Sequence, residues 1–173
     1  MTTTASLSSN WIKKPVTKQE IEPLCKAYGI SQILASIFVR RGITSGSDLL
    51  YYLENDLRFQ HAPFAFSGME DAVERIMQAK EEGEKVLIFG DSDVDGVTST
   101  TILYEQLVRM GLDVSWRLPL EDDGYGLSIA AIDDFAAQEG TLIITVDCGI
   151  SNNQEISHAN ELGIDVIVTD HHN

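Results

Sequence analysis

From Val86 onward the chain repeats one pattern. Short apolar runs at Val86–Phe89, Val114–Leu118, Thr141–Val146 and Asp165–Val168 are separated by helical patterns over about 97–110, Ser128–Gln138 and Asn152–Leu162. Runs of that length, closed by Gly or polar residues, read as strands. Strands alternating with helices require right-handed crossovers and build a parallel sheet with both faces covered. The apolar character of the runs suits that double burial. The expected fold class is α/β, a parallel sheet with helices on both faces, preceded by a small helical N-terminal region.

That N-terminal region carries its own punctuation. Thr17 and Glu20 make a capping box ahead of Ile21, Leu24 and Cys25, and Gly29 ends the helix. A second helix is predicted over Ser31–Arg41, with Ile33, Leu34, Ile37 and Phe38 apolar and Gly42 as its C-cap. A third follows Ser47 and carries Leu49, Leu50 and Leu53. The pair Arg40 and Arg41 complements the helix dipole, with phosphate contact as the alternative. Phe59–Ser67 is an aromatic connector expected to pack against the next domain, with His61 on the surface. Met69–Glu82 reads as a strong helix with apolar Val73, Ile76 and Met77, closed by Gly83. The expected division is residues 1–66 as helical region and connector, and 67–173 as the α/β domain.

The net charge of −15 opposes non-specific nucleic-acid binding, which depends on Lys and Arg neutralising phosphates. A nucleic-acid substrate would require metal ions, a local basic patch or another domain. No apolar run approaches the roughly 20 residues of a spanning helix, so no membrane association is expected. The first ten residues lack the basic and apolar regions of a secretory signal. With two cysteines, Cys25 and Cys148, at no metal-like spacing, a reduced cytoplasmic setting is expected.

The polar residues fall where an open α/β sheet places its site, at the carboxyl ends of strands. The first strand runs into Asp91-Ser-Asp93-Val-Asp95-Gly96, the third into Asp147-Cys-Gly149, and the fourth into Asp170-His171-His172. On an extended backbone Asp91, Asp93 and Asp95 would face one side. Like charges so placed repel unless a cation neutralises them. The Asp-x-Asp-x-Asp-Gly string also begins a calcium loop. That loop requires a preceding helix and a Glu at its twelfth position, which here is Ile102. A bland alternative makes Asp95 the cap of the next helix, Asp147 a cap likewise, and Asp170-His171-His172 a solvated exit. Three independent strand ends carrying such groups favour a metal centre.

An oxygen-rich donor set with some imidazole suits Mn²⁺ or Mg²⁺ better than Zn²⁺, and Cys148 is expected to point into the sheet. A fully extended Asp91–Asp95 spans ~13 Å, too far for one ion. A curled loop serving two ions ~3.5–4 Å apart, with a bridging carboxylate, fits better. Two such ions imply hydrolysis of a phosphate ester or anhydride. Thr98, Ser99 and Thr100, at the start of a helix opening after Gly96, would offer backbone N–H groups to an anion.

Gly90-Asp-Ser-Asp-Val-Asp-Gly96, Gly124-Tyr-Gly-Leu127, Thr145-Val-Asp-Cys-Gly-Ile150 and Thr169-Asp-His-His172 resemble the first three motifs of the DHH phosphoesterases. Within that superfamily the likeness is to the RecJ-type exonucleases, and it extends over nearly the whole chain. The resemblance implies a 5′→3′ exonuclease for single-stranded DNA, acting in repair and recombination with two Mn²⁺ or Mg²⁺ ions. It implies partnership with single-strand-binding protein and helicase. Asp93 and Asp147 would hold one ion, with Asp91 as a further ligand. Asp95, Asp147 and His171 would hold the other, Asp147 bridging, and His172 would contact the scissile phosphate. Gly124 and Tyr125 would lie against substrate.

The sequence departs from that pattern in places. It stops at Asn173, so the family's fourth acidic ligand and second domain are not within it, and weak or no activity is expected of this stretch alone. Ser92 stands where an aromatic Tyr is usual. Leu120-Glu121-Asp122-Asp123 occupies the place of an expected basic residue, leaving Arg117 as the substitute. Two further functions stay open: a DHH phosphodiesterase on short oligonucleotides or cyclic dinucleotides, and a non-catalytic replication scaffold.

Overall fold

Over residues 12–44, 46–56, 60–119 and 124–172, which it describes, the computed structural model runs from three helices into an alternating α/β unit. The elements are α1 (Lys18–Tyr28), α2 (Gln32–Arg40), α3 (Gly46–Leu53), α4 (Met69–Glu82), β1 (Lys85–Gly90), α5 (Val94–Met110), β2 (Asp113–Arg117), α6 (Ile129–Ala136), β3 (Leu142–Val146), α7 (Asn153–Glu161) and β4 (Asp165–Thr169). Two units separate by contact, Met1–Pro63 and Phe64–Asn173. Residues 1–11, Phe59, Leu120–Asp123 and Asn173, to which some of the expectations above apply, lie outside the described residues. Among those described, no helix is long and apolar enough to cross a membrane.

In the first unit, the Thr17 N–H and hydroxyl both donate to the Glu20 carboxylate, at 2.7 and 2.8 Å. Gly29 closes α1 in the left-handed region at φ 65°. Ser31 caps α2 by accepting from the Leu34 N–H. Leu24, Ala35, Phe38, Val39 and Leu49 form the core. Two expectations need correction. The α2 C-cap is Arg41 rather than Gly42, and α3 begins at Gly46, ahead of Ser47. Of the apolar positions of α2, Ile33 and Ile37 are 75% and 42% exposed, because the helix buries its Ala35–Phe38–Val39 side. Arg40 has a more specific role than its dipole position suggested: its Nε donates to the Lys14 carbonyl (2.9 Å) and Nη1 to Ser36, fastening the lead-in to α2.

The second unit is a four-stranded parallel sheet in the order β2-β1-β3-β4, with Val86 opposite both Val114 and Leu142, and Leu142 opposite Asp165. Alternation divides β1 between two cores. Val86 and Ile88 pack with Ala79 of α4 and Leu107 of α5, whereas Leu87 and Phe89 pack with Ile132 and Phe135 of α6 and Ala159 of α7. Helices therefore cover both faces. All of β3, and all of β1 after Lys85, are buried, and each large apolar side chain so placed contributes roughly 1.5–3 kcal/mol. As outer strands, β2 and β4 keep partial exposure.

α4 reaches the sheet through Ile76 and Ala79, while Val73 and Met77 remain exposed. One further expectation fails, at the connector. Phe64 and Phe66 of the connector are 62% and 71% exposed, so they do not pack into the unit they begin. At the amino ends of the strands, Arg75 pairs with Glu84 (2.7 Å) and Asp165 (2.6 Å), and the Thr141 hydroxyl donates to Glu84.

Candidate metal centre

The order β2-β1-β3-β4 sends the chain outward from β1 to β2 and then back across to β3. The exits of β1 and β3 therefore diverge, and a crevice opens at their carboxyl ends.

On the β1 side the strand ends at Gly90 and the chain curls at once. Asp93, with extended φ −83° and ψ −174°, is the N-cap of α5: its Oδ1 accepts from the N–H groups of Asp95 (2.9 Å) and Gly96 (3.1 Å). The helix thus starts at Val94 rather than after Gly96. The three aspartates are not one face of an extended strand, and the cap is Asp93, not Asp95. Gly96 sits within the first turn because the loop folds back on Asp91. A Cβ on Gly90 would lie 2.1 Å from the Thr100 hydroxyl oxygen, so this crossing also depends on glycine.

On the β3 side Asp147 takes φ 61°, a left-handed conformation that non-glycine residues adopt at a cost. Its N–H donates to the Thr169 carbonyl (2.9 Å), and its side chain, 5% exposed, lies 2.9 Å from His171 Nε2. Gly149 follows at φ 111°, where a Cβ would meet the Thr145 hydroxyl oxygen at 2.5 Å. Cys148 is buried in the α6/α7 core, as expected.

The β4 exit is organised by Asp170, whose side chain is 1% exposed. It accepts from the Ile150 N–H (3.0 Å), the His172 N–H (3.0 Å) and His172 Nδ1 (2.8 Å). Burial raises the Asp170 pKa, but these bonds outweigh it and bring the group down to about 2. A carboxylate there accepts Nδ1–H, which leaves Nε2 as the unprotonated nitrogen of a neutral His172 ring. The Tyr125 hydroxyl donates to the Asp147 carbonyl (3.3 Å) and lies 3.1 Å from His172 Nδ1.

Two groups of donors result. One ligand atom each from Asp91, Asp93 and Asp147 lie within 4.8 Å of one another, and the same holds for Asp147, His171 and His172. Asp147 belongs to both. Asp95, on the exposed first turn of α5, belongs to neither. Thr98 and Ser99 are a full turn inside α5, and the Thr98 hydroxyl donates back to the Val94 carbonyl, so they do not present a helix start to an anion. Arg117, at the end of β2, pairs with Asp134 of α6 at 2.9 Å. Gly124 (φ 75°) opens the turn carrying Tyr125. Two residues with no individual assignment from the sequence tie this region together: Asp170 holds His172, and Asn152 holds Leu127. The Asp170-His171-His172 string was the only available signal for the first. For Asn152, 25 residues from its partner Leu127, there was none.

The donor set fits a hard divalent cation: three carboxylates and two imidazoles, with the shared carboxylate buried. The local field is negative. Burial first, then Asp170, Asp91 and Asp147, push the Cys148 thiol up to about 12. Burial and the same carboxylates raise Tyr125. The bond to Asp170, opposed by burial, raises His172.

Residues 85–173, just over half of the chain, match the family model described as "DHH family, N-terminal domain". The chain is 38% identical to the single-stranded-DNA-specific exonuclease RecJ of Bacillus subtilis over 93% of its own length and 20% of that protein's. It is 39% identical to RecJ of Salmonella typhimurium over 81% of its length and 24% of that protein's. It therefore spans about a fifth to a quarter of these relatives. Among solved structures, exonuclease RecJ bound to manganese matches 66% of this chain and 30% of its own, at 35% identity and a TM-score of 0.61. RecJ from Thermus thermophilus in complex with Mn²⁺ matches 91% and 22%, at 27% identity and 0.64. With its parallel sheet, its strand-end carboxylates and that match, the chain belongs to the DHH family.

Proposed function

We propose that this chain is the metal-holding portion of a nuclease that hydrolyses phosphodiester bonds in single-stranded DNA from the 5′ end. One observation carries the reading: two three-donor groups share the buried Asp147 at the mouth of the sheet. Asp91, Asp93 and Asp147 would hold one Mn²⁺ or Mg²⁺ ion, and Asp147, His171 and His172 the other; Asp95 stands in neither group. Bound there, two such ions lower the pKa of water and neutralise charge on phosphorus. The protein's part is to hold its donors still. The left-handed turn at Asp147 aims a buried carboxylate between the groups, the cap at Asp93 fixes one of its oxygens, and Asp170 fixes the ring of His172.

The similarity to single-stranded-DNA-specific RecJ exonucleases and to RecJ structures holding manganese or magnesium supports a DNA strand as substrate and Mn²⁺ or Mg²⁺ as cofactor. The net charge of −15 is consistent with cations mediating contact with a polyanion. Action in repair or recombination, alongside a helicase or single-strand-binding protein, belongs to the same proposal. The test is release of nucleotides from a 5′-labelled single strand with Mn²⁺, comparing the full-length protein with Asp93→Ala and Asp147→Ala. Equal rates in all three would remove the assigned site.

A further inference from the structure

An Asn before a helix ordinarily caps it with its own side chain. Asn152, immediately before α7, makes no such bond. Its amide grips another loop instead: Oδ1 accepts from the Leu127 N–H (3.1 Å) and Nδ2 donates to the Leu127 carbonyl (3.2 Å). Glu155 holds the amide by accepting from the same Nδ2 (3.2 Å). The preceding Gly126, at φ 86°, has no room for a Cβ, which would lie 2.4 Å from Asn152 Oδ1. Leu127 itself is buried in the α6/α7 core. Between this clamp and Gly124 stands Tyr125, whose hydroxyl donates to the Asp147 carbonyl while lying within hydrogen-bond reach of His172 Nδ1. The two rings meet edge to face at 6.0 Å.

We propose that Asn152 is a positioning residue for the metal centre, acting through the Gly124–Leu127 turn and the Tyr125 hydroxyl on Asp147 and His172. The chemistry of each link is consistent. His172 Nδ1–H is shared between Asp170 and the Tyr125 oxygen, the Tyr125 hydroxyl hydrogen goes to the Asp147 carbonyl, and Asn152 holds both backbone groups of Leu127. Asn152 forgoes its helix cap to supply this grip. The inference rests on the proposed nuclease function for its catalytic consequence, but not for its structural one.

The test compares the chain with Tyr125→Phe, Asn152→Ser and the double variant. Ser caps helices as well as Asn does but cannot reach Leu127 with two bonds. In metal-free protein, Asn152→Ser is expected to move the His172 ring ¹⁵N and ¹H signals in the same direction as Tyr125→Phe, with β1–β2 amide signals unchanged as the check on folding. In the full-length protein with Mn²⁺, each single variant is expected to lower kcat roughly tenfold with KM little changed, the usual scale for groups that orient metal ligands. The double variant should lose no more than Tyr125→Phe alone. Unmoved His172 signals in Asn152→Ser, or losses that multiply in the double variant, overturn the clamp. Should Asn152→Ser fail to fold, Asn152→Asp, which keeps the acceptor for the Leu127 N–H and removes the donor to its carbonyl, takes its place with the same expectations. If the wild type cleaves no strand, the nuclease proposal falls while the His172 signals still decide the clamp.

Discussion

Gly96 lies so close to Asp91 that a Cβ on the glycine would sit 2.2 Å from the aspartate's carbonyl oxygen. The contact is with backbone, which cannot swing aside. Gly96→Ala must therefore open the loop, displacing Asp91 from Asp93 and Asp147. Overpacking of this kind costs about 1–3 kcal/mol. Urea denaturation should report that loss, and Mn²⁺ titration should show weakened binding even where the variant is folded. Binding equal to wild type would show that the Asp91 loop does not shape the site.

Holding carboxylates together without a cation works against folding, so a bound divalent ion should stabilise the protein. Free Mn²⁺ at a hundredfold excess over its Kd adds about 2.7 kcal/mol to a folded state that alone binds it. For a chain of this size that corresponds to a rise in Tm of roughly 5–10 °C. EDTA should reverse the rise and Asp147→Ala should abolish it, as measured by differential scanning calorimetry.

The two cysteines should differ in reactivity. Cys25 is half-buried, whereas Cys148 is buried with its thiol pushed up to about 12, leaving almost no thiolate at neutral pH. Iodoacetamide on native protein, followed by peptide mass mapping, should label Cys25 and spare Cys148. Both should react in denaturant.

Acid should attack the opposite end of the sheet from the metal centre. The bond from Arg75 holds the Glu84 carboxyl below its ordinary value of 4.5, against burial, with the Thr141 hydroxyl assisting. A depressed carboxyl contributes stability that is present above the unfolded value and lost as pH falls through the folded one. Glu84→Gln should therefore cost about 1.5–3 kcal/mol at pH 7, the worth of hydrogen bonds to a charged group. Its stability should also fall less steeply than wild type below pH 4.5. Parallel stability curves on acidification from neutral pH would show that the pair contributes nothing.

Much of this architecture could be read directly. The apolar runs at β1 and β3 are buried on both faces, as their lack of alternation implied, and Gly29, Gly83 and Gly111 end their helices in the left-handed region. What escaped was decided by side chains acting on backbone. The Asp91–Asp95 alternation looks extended in one dimension, but the Asp93 carboxylate captures two N–H groups and starts the helix at Val94, ahead of Gly96. That shift moved Thr98 and Ser99 from the helix opening into its body. Asn152 was silent because its partner Leu127 lies in another βα unit, 25 residues away, and no local spacing encodes it. Ile33 and Val73 carried helical periodicity without burial, since periodicity names a face but not its width.

The site is written across three strand exits between Asp91 and His172, with Asp147 at the end of the central strand β3, which lies between β1 and β4. A ribosome that has delivered only the first exit has made an ordinary acidic loop. The second donor group is complete only once β4 pairs with β3 and brings His171 beside Asp147. A chain ending before β4 would therefore hold Asp91, Asp93 and Asp147 but lack the His171–His172 half of the donor set.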